Sequence, residues 1–94
     1  MKFKLKGKIN RADGETIRQA LKQLAAERSS VKPAEGGFMI EAEVEGPSAK
    51  ELNRMLLSTL RRAEKKTTLR AEWTSSDNTV ERFFDYVLKR TSRN

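Results

Sequence analysis

Residues 2–9 read Lys-Phe-Lys-Leu-Lys-Gly-Lys-Ile, with a lysine at every second position. Successive side chains of a β-strand point to opposite faces, so Phe3, Leu5 and Ile9 share one face and the lysines share the other. The stretch therefore predicts a strand with one buried and one solvated face. This pattern favours an antiparallel sheet, because a parallel sheet covered on both faces needs continuous apolar strands.

Two further stretches alternate in the same way and are predicted as strands, residues 38–45 and 67–74. Their inward-facing residues are Phe38, Ile40, Ala42 and Val44 in the first and Leu69, Ala71 and Trp73 in the second. The segment at Val31 is ambiguous, because Pro33 cannot occupy a central strand and restricts this segment to an edge. If the edge strand forms, residues 34–37 are its hairpin turn.

Two helices are predicted between these strands. Asp13 is placed to cap the first helix, which carries an apolar stripe and ends near Arg28. Ser48 and Glu51 form a capping box that opens the second helix. The apolar stripes comprise Ile17, Ala20, Leu21 and Leu24 in the first helix and Leu52, Met55, Leu56, Leu60 and Ala63 in the second.

A third helix is predicted over residues 78–91. Asn78-Thr79-Val80-Glu81 fits a second capping box, and apolar side chains then recur at helical spacing. The resulting order, β-α-β-β-α-β-α, predicts a ferredoxin-like two-layer α+β sandwich with an added C-terminal helix. Without the Val31 strand the order is the three-stranded β-α-β-α-β-α. We expect a single domain over residues 1–94, with residues 1–74 as the sandwich and residues 78–91 as the added helix.

Composition limits the chemistry available to the chain. Its 94 residues include no cysteine and no histidine, which excludes disulfides, cysteine nucleophiles, Cys/His zinc sites and a histidine general base. No apolar run exceeds three residues, far short of a membrane span, so we expect a cytoplasmic protein. The inventory predicts a non-catalytic protein without a metal, a cofactor or a small-molecule substrate.

The formal net charge of +7 favours a polyanionic partner. Residues 48–66, the second helix and the residues just after it, carry six basic side chains against Glu51 and Glu64. Such a stripe can neutralise several phosphates, which predicts binding to the backbone of structured RNA or duplex DNA. The predicted nucleic-acid-binding residues are Lys50, Arg54, Arg61, Arg62 and Lys65. The alternative is a solvated face whose C-terminal cations interact favourably with the helix dipole.

The lysines of the first strand form a second basic surface. In a ferredoxin-like sheet this strand lies beside and antiparallel to residues 38–45, which places the lysines next to a row of glutamates. Opposite charges across strands stabilise a solvated sheet face. Base recognition on such a face requires exposed aromatic side chains, whereas Phe3, Phe38 and Trp73 are predicted to point inward. The sheet is therefore not expected to bind bases.

The apolar face of the third helix requires an apolar partner. It can pack beside the other helices or contact a second copy of the chain. A self-associating protein-interaction module is thus the alternative function, and the homodimer interface would comprise Phe83, Phe84, Val87 and Leu88. Tyr86 lies off this face and is predicted to be available to a ligand or partner.

Part of the second helix resembles a known family. Leu52, Leu56, Ser58, Leu60 and Arg61 are similar to the last helix of the small dimerising subunit of the tRNA threonylcarbamoyl-modifying (KEOPS) assembly, which has a β-α-β-β-α core. The resemblance implies dimerisation and a tRNA-related role. It consists mainly of leucine spacing over a short stretch, and this chain is predicted to add a strand and a third helix, so we do not assign the chain to that family.

Overall fold

The computed structural model describes residues 1–85 and the backbone of residues 87–89. Within these residues the chain forms two helices and six strands, an α+β fold. The strands are β1 (Lys2–Asn10), β2 (Glu27–Ala34), β3 (Gly37–Glu45), β4 (Thr68–Ser75), β5 (Val80–Phe84) and the short β6 (Val87–Lys89). The helices are α1 (Gly14–Gln23) and α2 (Ala49–Ala63).

The six strands form one antiparallel sheet in the order β2-β3-β1-β4-β5-β6. Alternation along the strands places apolar side chains on one face, which the two helices cover, and leaves the other face open. The elements as far as β4 occur in the predicted chain order. The edge strand is present, with Val31 of β2 paired to Ile40 of β3. The three-stranded alternative is therefore wrong.

The predicted starts of the first two helices are confirmed. The Asp13 carboxylate accepts a hydrogen bond from the backbone N–H of Thr16 at 2.7 Å. The Ser48 hydroxyl accepts one from the backbone N–H of Glu51 at 3.1 Å. Each bond satisfies a backbone donor that the first turn of a helix otherwise leaves unpaired.

Helix α1 is shorter than predicted. It ends at Gln23 rather than near Arg28, and β2 already begins at Glu27. Ala25 and Arg28 have φ angles of +57° and +52°, a left-handed backbone conformation that a right-handed helix cannot continue through. Residues predicted to end the helix therefore extend the edge strand.

The C-terminal helix predicted over residues 78–91 is wrong, because the described part of this segment forms the hairpin of β5 and β6. β5 pairs with β4, so the chain widens the sheet instead of packing beside the helices. Val80, Phe83, Phe84 and Val87 are β-branched and aromatic residues, which favour strands. Their spacing also suits a helix, and a short apolar pattern does not separate the two. The complete predicted architecture, a ferredoxin-like sandwich with an added helix, is not matched.

The segment predicted as a second capping box, residues 78–81, instead leads out of the turn between β4 and β5. Asn78 has a φ angle of +68°, a conformation that asparagine tolerates better than most residues. The Asp77 carboxylate accepts hydrogen bonds from the Ser75 hydroxyl and from the backbone N–H of Thr79, and both lower the pKa of Asp77. These bonds close the turn and direct β5 back along β4.

A buried polar network ties α2 to the strands. Asn53 is 1% exposed, on the core side of α2 among leucines. Its amide oxygen accepts a hydrogen bond from the indole Nε1 of Trp73 at 3.1 Å, and its amide nitrogen donates to the backbone carbonyl of Asp85. The amide of Asn53 thus satisfies the indole N–H of the largest side chain in the core.

Asp85 is the second centre of this network and follows the last residue of β5. Its backbone N–H donates to the carbonyl of Leu69 at 2.6 Å, and its Oδ1 accepts from the Leu69 N–H at 2.9 Å. Its Oδ2 lies 3.3 Å from Nη2 of Arg61, whose Nε donates to the Thr67 carbonyl at 2.8 Å. The end of β5 is therefore held by both β4 and α2.

We expect Asn53→Ala to lower the free energy of unfolding by about 3 kcal/mol, because it leaves the Trp73 N–H and the Asp85 carbonyl unpaired and opens a small void. The control is Lys50→Ala on the exposed side of α2, which should change this free energy by less than about 0.5 kcal/mol. Urea unfolding followed by tryptophan fluorescence measures both. A loss below about 1 kcal/mol for Asn53→Ala would mean that the network contributes little.

Candidate nucleic-acid interface

The predicted basic residues of α2 lie in different surroundings. Lys50 and Arg54 are exposed in the first half of the helix, and Arg54 forms an ion pair with Glu51. Arg62 is exposed at the groove between α1 and α2. Lys65 is exposed in the turn that follows α2, beyond the end of the helix.

Arg61, the remaining predicted residue, is half-buried against the strands. It is paired with Asp85 and bonded to the Thr67 carbonyl, so its guanidinium joins α2 to the residues just before β4 and just after β5. Of the five predicted residues, Arg54 and Arg61 therefore have acidic partners within the chain. Lys50, Arg62 and Lys65 take part in none of the ion pairs within 4.0 Å among residues 1–85.

The open face of the sheet carries the second basic surface, and most of its charges are balanced. The register places Lys2, Lys4 and Lys6 of β1 opposite Glu45, Glu43 and Glu41 of β3, as the sequence predicts. Lys6 also lies opposite Glu72 of β4, and the Glu72 carboxylate is 2.8 Å from Nε of Arg82 on β5. We call the line Glu41, Lys6, Glu72 and Arg82 the alternating row.

The neighbouring line of residues departs from this pattern. Following the register from β2 to β5, it consists of Lys32, Met39, Lys8, Arg70 and Phe84, which we call the cationic row. Lys8 and Arg70 are directly opposite each other, and neither has a carboxylate opposite it on its other side. No ion pair within 4.0 Å among residues 1–85 involves the three cations of the row.

An aromatic side chain ends the cationic row. Phe84 belongs to the open face, is 36% exposed, and has the Arg70 guanidinium 5.3 Å from its ring centroid. Phe3 and Trp73 are buried as predicted. The prediction that the sheet does not bind bases considered only Phe3, Phe38 and Trp73. Phe84, which was assigned to a helix, adds an aromatic side chain to the open face.

A shallow depression follows the β5 end of the cationic row. Its volume is about 440 Å³, within the range of small-ligand sites. Its lining includes Lys8, Met39, Arg70 and Phe84, together with the ion pair of Glu72 and Arg82. Met39 is 48% exposed, so the depression combines apolar surface with positive charge.

The residues predicted as a homodimer interface do not share one face. Phe83 is 2% exposed and belongs to the core, opposite Ala71 of β4, whereas Phe84 lies on the open face opposite Arg70. The side chains of Val87 and Leu88, and all of Tyr86, lie outside the described residues. Phe83 is therefore unavailable to a partner in this fold.

Among the residues that the structure describes, no group of three or more acidic side chains is arranged to hold a metal ion. Neither helix in that part of the chain is both long and apolar enough to cross a membrane.

The two basic surfaces lie on opposite sides of the molecule, α2 over the covered face of the sheet and the cationic row on the open face. Of these, the cationic row places like charges side by side and adds an exposed aromatic ring. No protein-family model, curated protein or solved structure matches this chain at a significant level.

Proposed function

We propose that the chain is a non-catalytic protein that binds the sugar-phosphate backbone of nucleic acid through the cationic row. The observation that carries the proposal is the cross-strand pairing of Lys8 with Arg70 on the open face, without an opposing carboxylate. Like charges in opposite positions destabilise a sheet. A phosphate between them replaces this repulsion with charge-assisted hydrogen bonds.

The shape of the row suits a linear polyanion. Its residues lie on five adjacent strands about 4.8 Å apart, so the row extends about 19 Å across the sheet. Lys32, Lys8 and Arg70 are distributed along it. A backbone running across the strands therefore meets a positive charge at several points, which favours a nucleic acid over an isolated small anion.

The α2 surface is the alternative site for this function, and it lacks the cross-strand pair of cations and the exposed aromatic ring of the cationic row. Arg54 and Arg61 are already paired with carboxylates, which leaves Lys50, Arg62 and Lys65. A short oligonucleotide cannot contact both surfaces at once because they face in opposite directions. Substitutions on one surface at a time therefore show which of the two surfaces binds the oligonucleotide.

The arrangement of β1 to β4 supports the proposal by analogy. We take residues 1–75 to be a ferredoxin-like unit, because β2-β3-β1-β4 with two helices on one face is the order such a unit has. RNA-recognition modules built on a four-stranded sheet bind RNA on their open face. The analogy concerns architecture, and the charges of the row carry the functional argument.

Fluorescence anisotropy with labelled hairpin RNA, duplex DNA and single strands, titrated from about 50 to 200 mM salt, tests the proposal. We expect micromolar binding whose affinity falls log-linearly with salt and with a slope of about −2 to −3, one unit for each phosphate contact. Polyglutamate serves as the competitor. Absence of binding to every nucleic acid at the lowest salt would overturn the proposal. Equally effective competition by polyglutamate would also overturn it and would assign the row to acidic proteins.

A further inference from the structure

We propose that the open face selects single-stranded nucleic acid by stacking one unpaired base on Phe84 beside Arg70. This inference rests on the proposed function and adds a preference that backbone contacts alone do not provide. Phosphate contacts position a nucleic acid, whereas contacts to bases discriminate between its forms. The site is the β5 end of the cationic row.

The position of Phe84 carries the inference. The side chain lies on the open face at the end of a line of three cations, so a backbone bound along the row passes beside the ring. Aromatic rings and guanidinium planes are the two protein surfaces on which unpaired bases stack. Phe84 and Arg70 provide one of each, 5.3 Å apart, at the edge of the 440 Å³ depression.

The backbone at Phe84 is held in place by hydrogen bonds of its neighbour and by sheet pairing. Asp85, the next residue, is bonded to Leu69 through both its backbone N–H and its carboxylate, and to Arg61 and Asn53 of α2. Phe84 is itself paired with Arg70 in the sheet. A stacking platform fixed in this way loses little conformational entropy when a base binds.

A duplex cannot use this platform, because its bases are stacked on one another and present only their edges in the grooves. The phosphates of a duplex remain available to Lys8 and Arg70. The inference therefore predicts a preference between nucleic-acid forms rather than exclusive binding of one form.

The test compares four probes of about 12 nucleotides: single-stranded RNA, single-stranded DNA, an abasic strand of the same length and charge, and the duplex. The wild-type protein should bind the single strands about ten-fold more tightly than the abasic strand or the duplex. Phe84→Leu, which keeps an apolar side chain on the open face, should lose this preference and retain its affinity for the abasic strand. The control is Val80→Leu, exposed on the same face of β5 but outside the cationic row, and it should keep the preference.

The outcomes separate this inference from the proposed function. Equal affinity of the wild-type protein for the normal and abasic strands would overturn base stacking and leave backbone binding intact. Failure to bind any of the four probes would overturn both. Retention of the ten-fold preference by Phe84→Leu would place base recognition elsewhere on the chain and contradict the inference.

Discussion

Phe83→Ala should lower the free energy of unfolding by about 3–5 kcal/mol, whereas Phe84→Ala should lower it by less than about 1 kcal/mol. The two residues are adjacent in β5 and point to opposite faces of the sheet. Phe83 is 2% exposed and belongs to the hydrophobic core, so its truncation leaves a cavity. Phe84 is partly exposed on the open face, where the Arg70 guanidinium lies over its ring, so its truncation opens no cavity in the core.

Urea unfolding of the two variants measures this difference directly. It also separates the observed strand from the predicted helix, because an amphipathic helix over this segment would place both phenylalanines on one apolar face. Similar losses of stability for the two variants would contradict the hairpin. Leu5→Ala, at a fully buried site of β1, provides a reference for a large core truncation.

The double charge reversal Lys8→Glu/Arg70→Glu should weaken binding of a single-stranded oligonucleotide by about 100-fold at about 100 mM salt. Both cations of the central pair are replaced by carboxylates that repel phosphate. The salt dependence should change as well, since the slope of log K against log salt loses about one unit for each phosphate contact removed.

The matched control is Lys50→Glu/Arg62→Glu on α2, which changes the net charge by the same amount on the opposite side of the molecule. It should weaken binding by less than about five-fold through the altered net charge alone. Unfolding curves of both double variants exclude a loss of structure as the cause. A larger loss for the α2 variant would transfer the binding site to the helix surface that the sequence predicts.

Much of the sheet could be predicted because its strands alternate. Leu5, Ile40 and Val44 lie in the core as the period of two requires, and the pairing of lysines with glutamates follows from the order of the strands. The starts of both helices could also be predicted, because Asp13 and Ser48 are capping residues, and each accepts the hydrogen bond of a helix cap. The alternation and the capping residues are patterns of neighbouring positions, so they can be identified in one sequence alone.

The C-terminal hairpin was mispredicted as a helix because the spacing of its apolar residues is compatible with both a helix and a strand. Apolar residues from Val80 to Leu88 recur at helical spacing, while Phe83 and Phe84 side by side break the strict alternation of a strand with one buried face. Phe84 lies outward in the structure, which accounts for the break. The abundance of β-branched and aromatic residues, and turn-forming Asp77 and Asn78, were the available signals for a strand.

The candidate site required information that no local pattern contains. Lys8 and Arg70 are far apart in the chain, and their apposition depends on the register between β1 and β4. Phe84 could be placed beside Arg70 only once β5 was known to be a strand. Asn53 gave a weaker signal, since an asparagine among the leucines of α2 indicates a buried polar partner, and that partner proved to be Trp73.

Amide NMR spectra recorded during titration with a single-stranded oligonucleotide show whether nucleic acid lies along the cationic row. We predict that the largest shift changes occur at Lys8, Met39, Arg70 and Phe84 and at their neighbours on the open face. Signals of Lys50, Arg54 and Arg62 on α2 should change little. Shift changes concentrated on α2, with the sheet signals unmoved at saturation, would contradict the account.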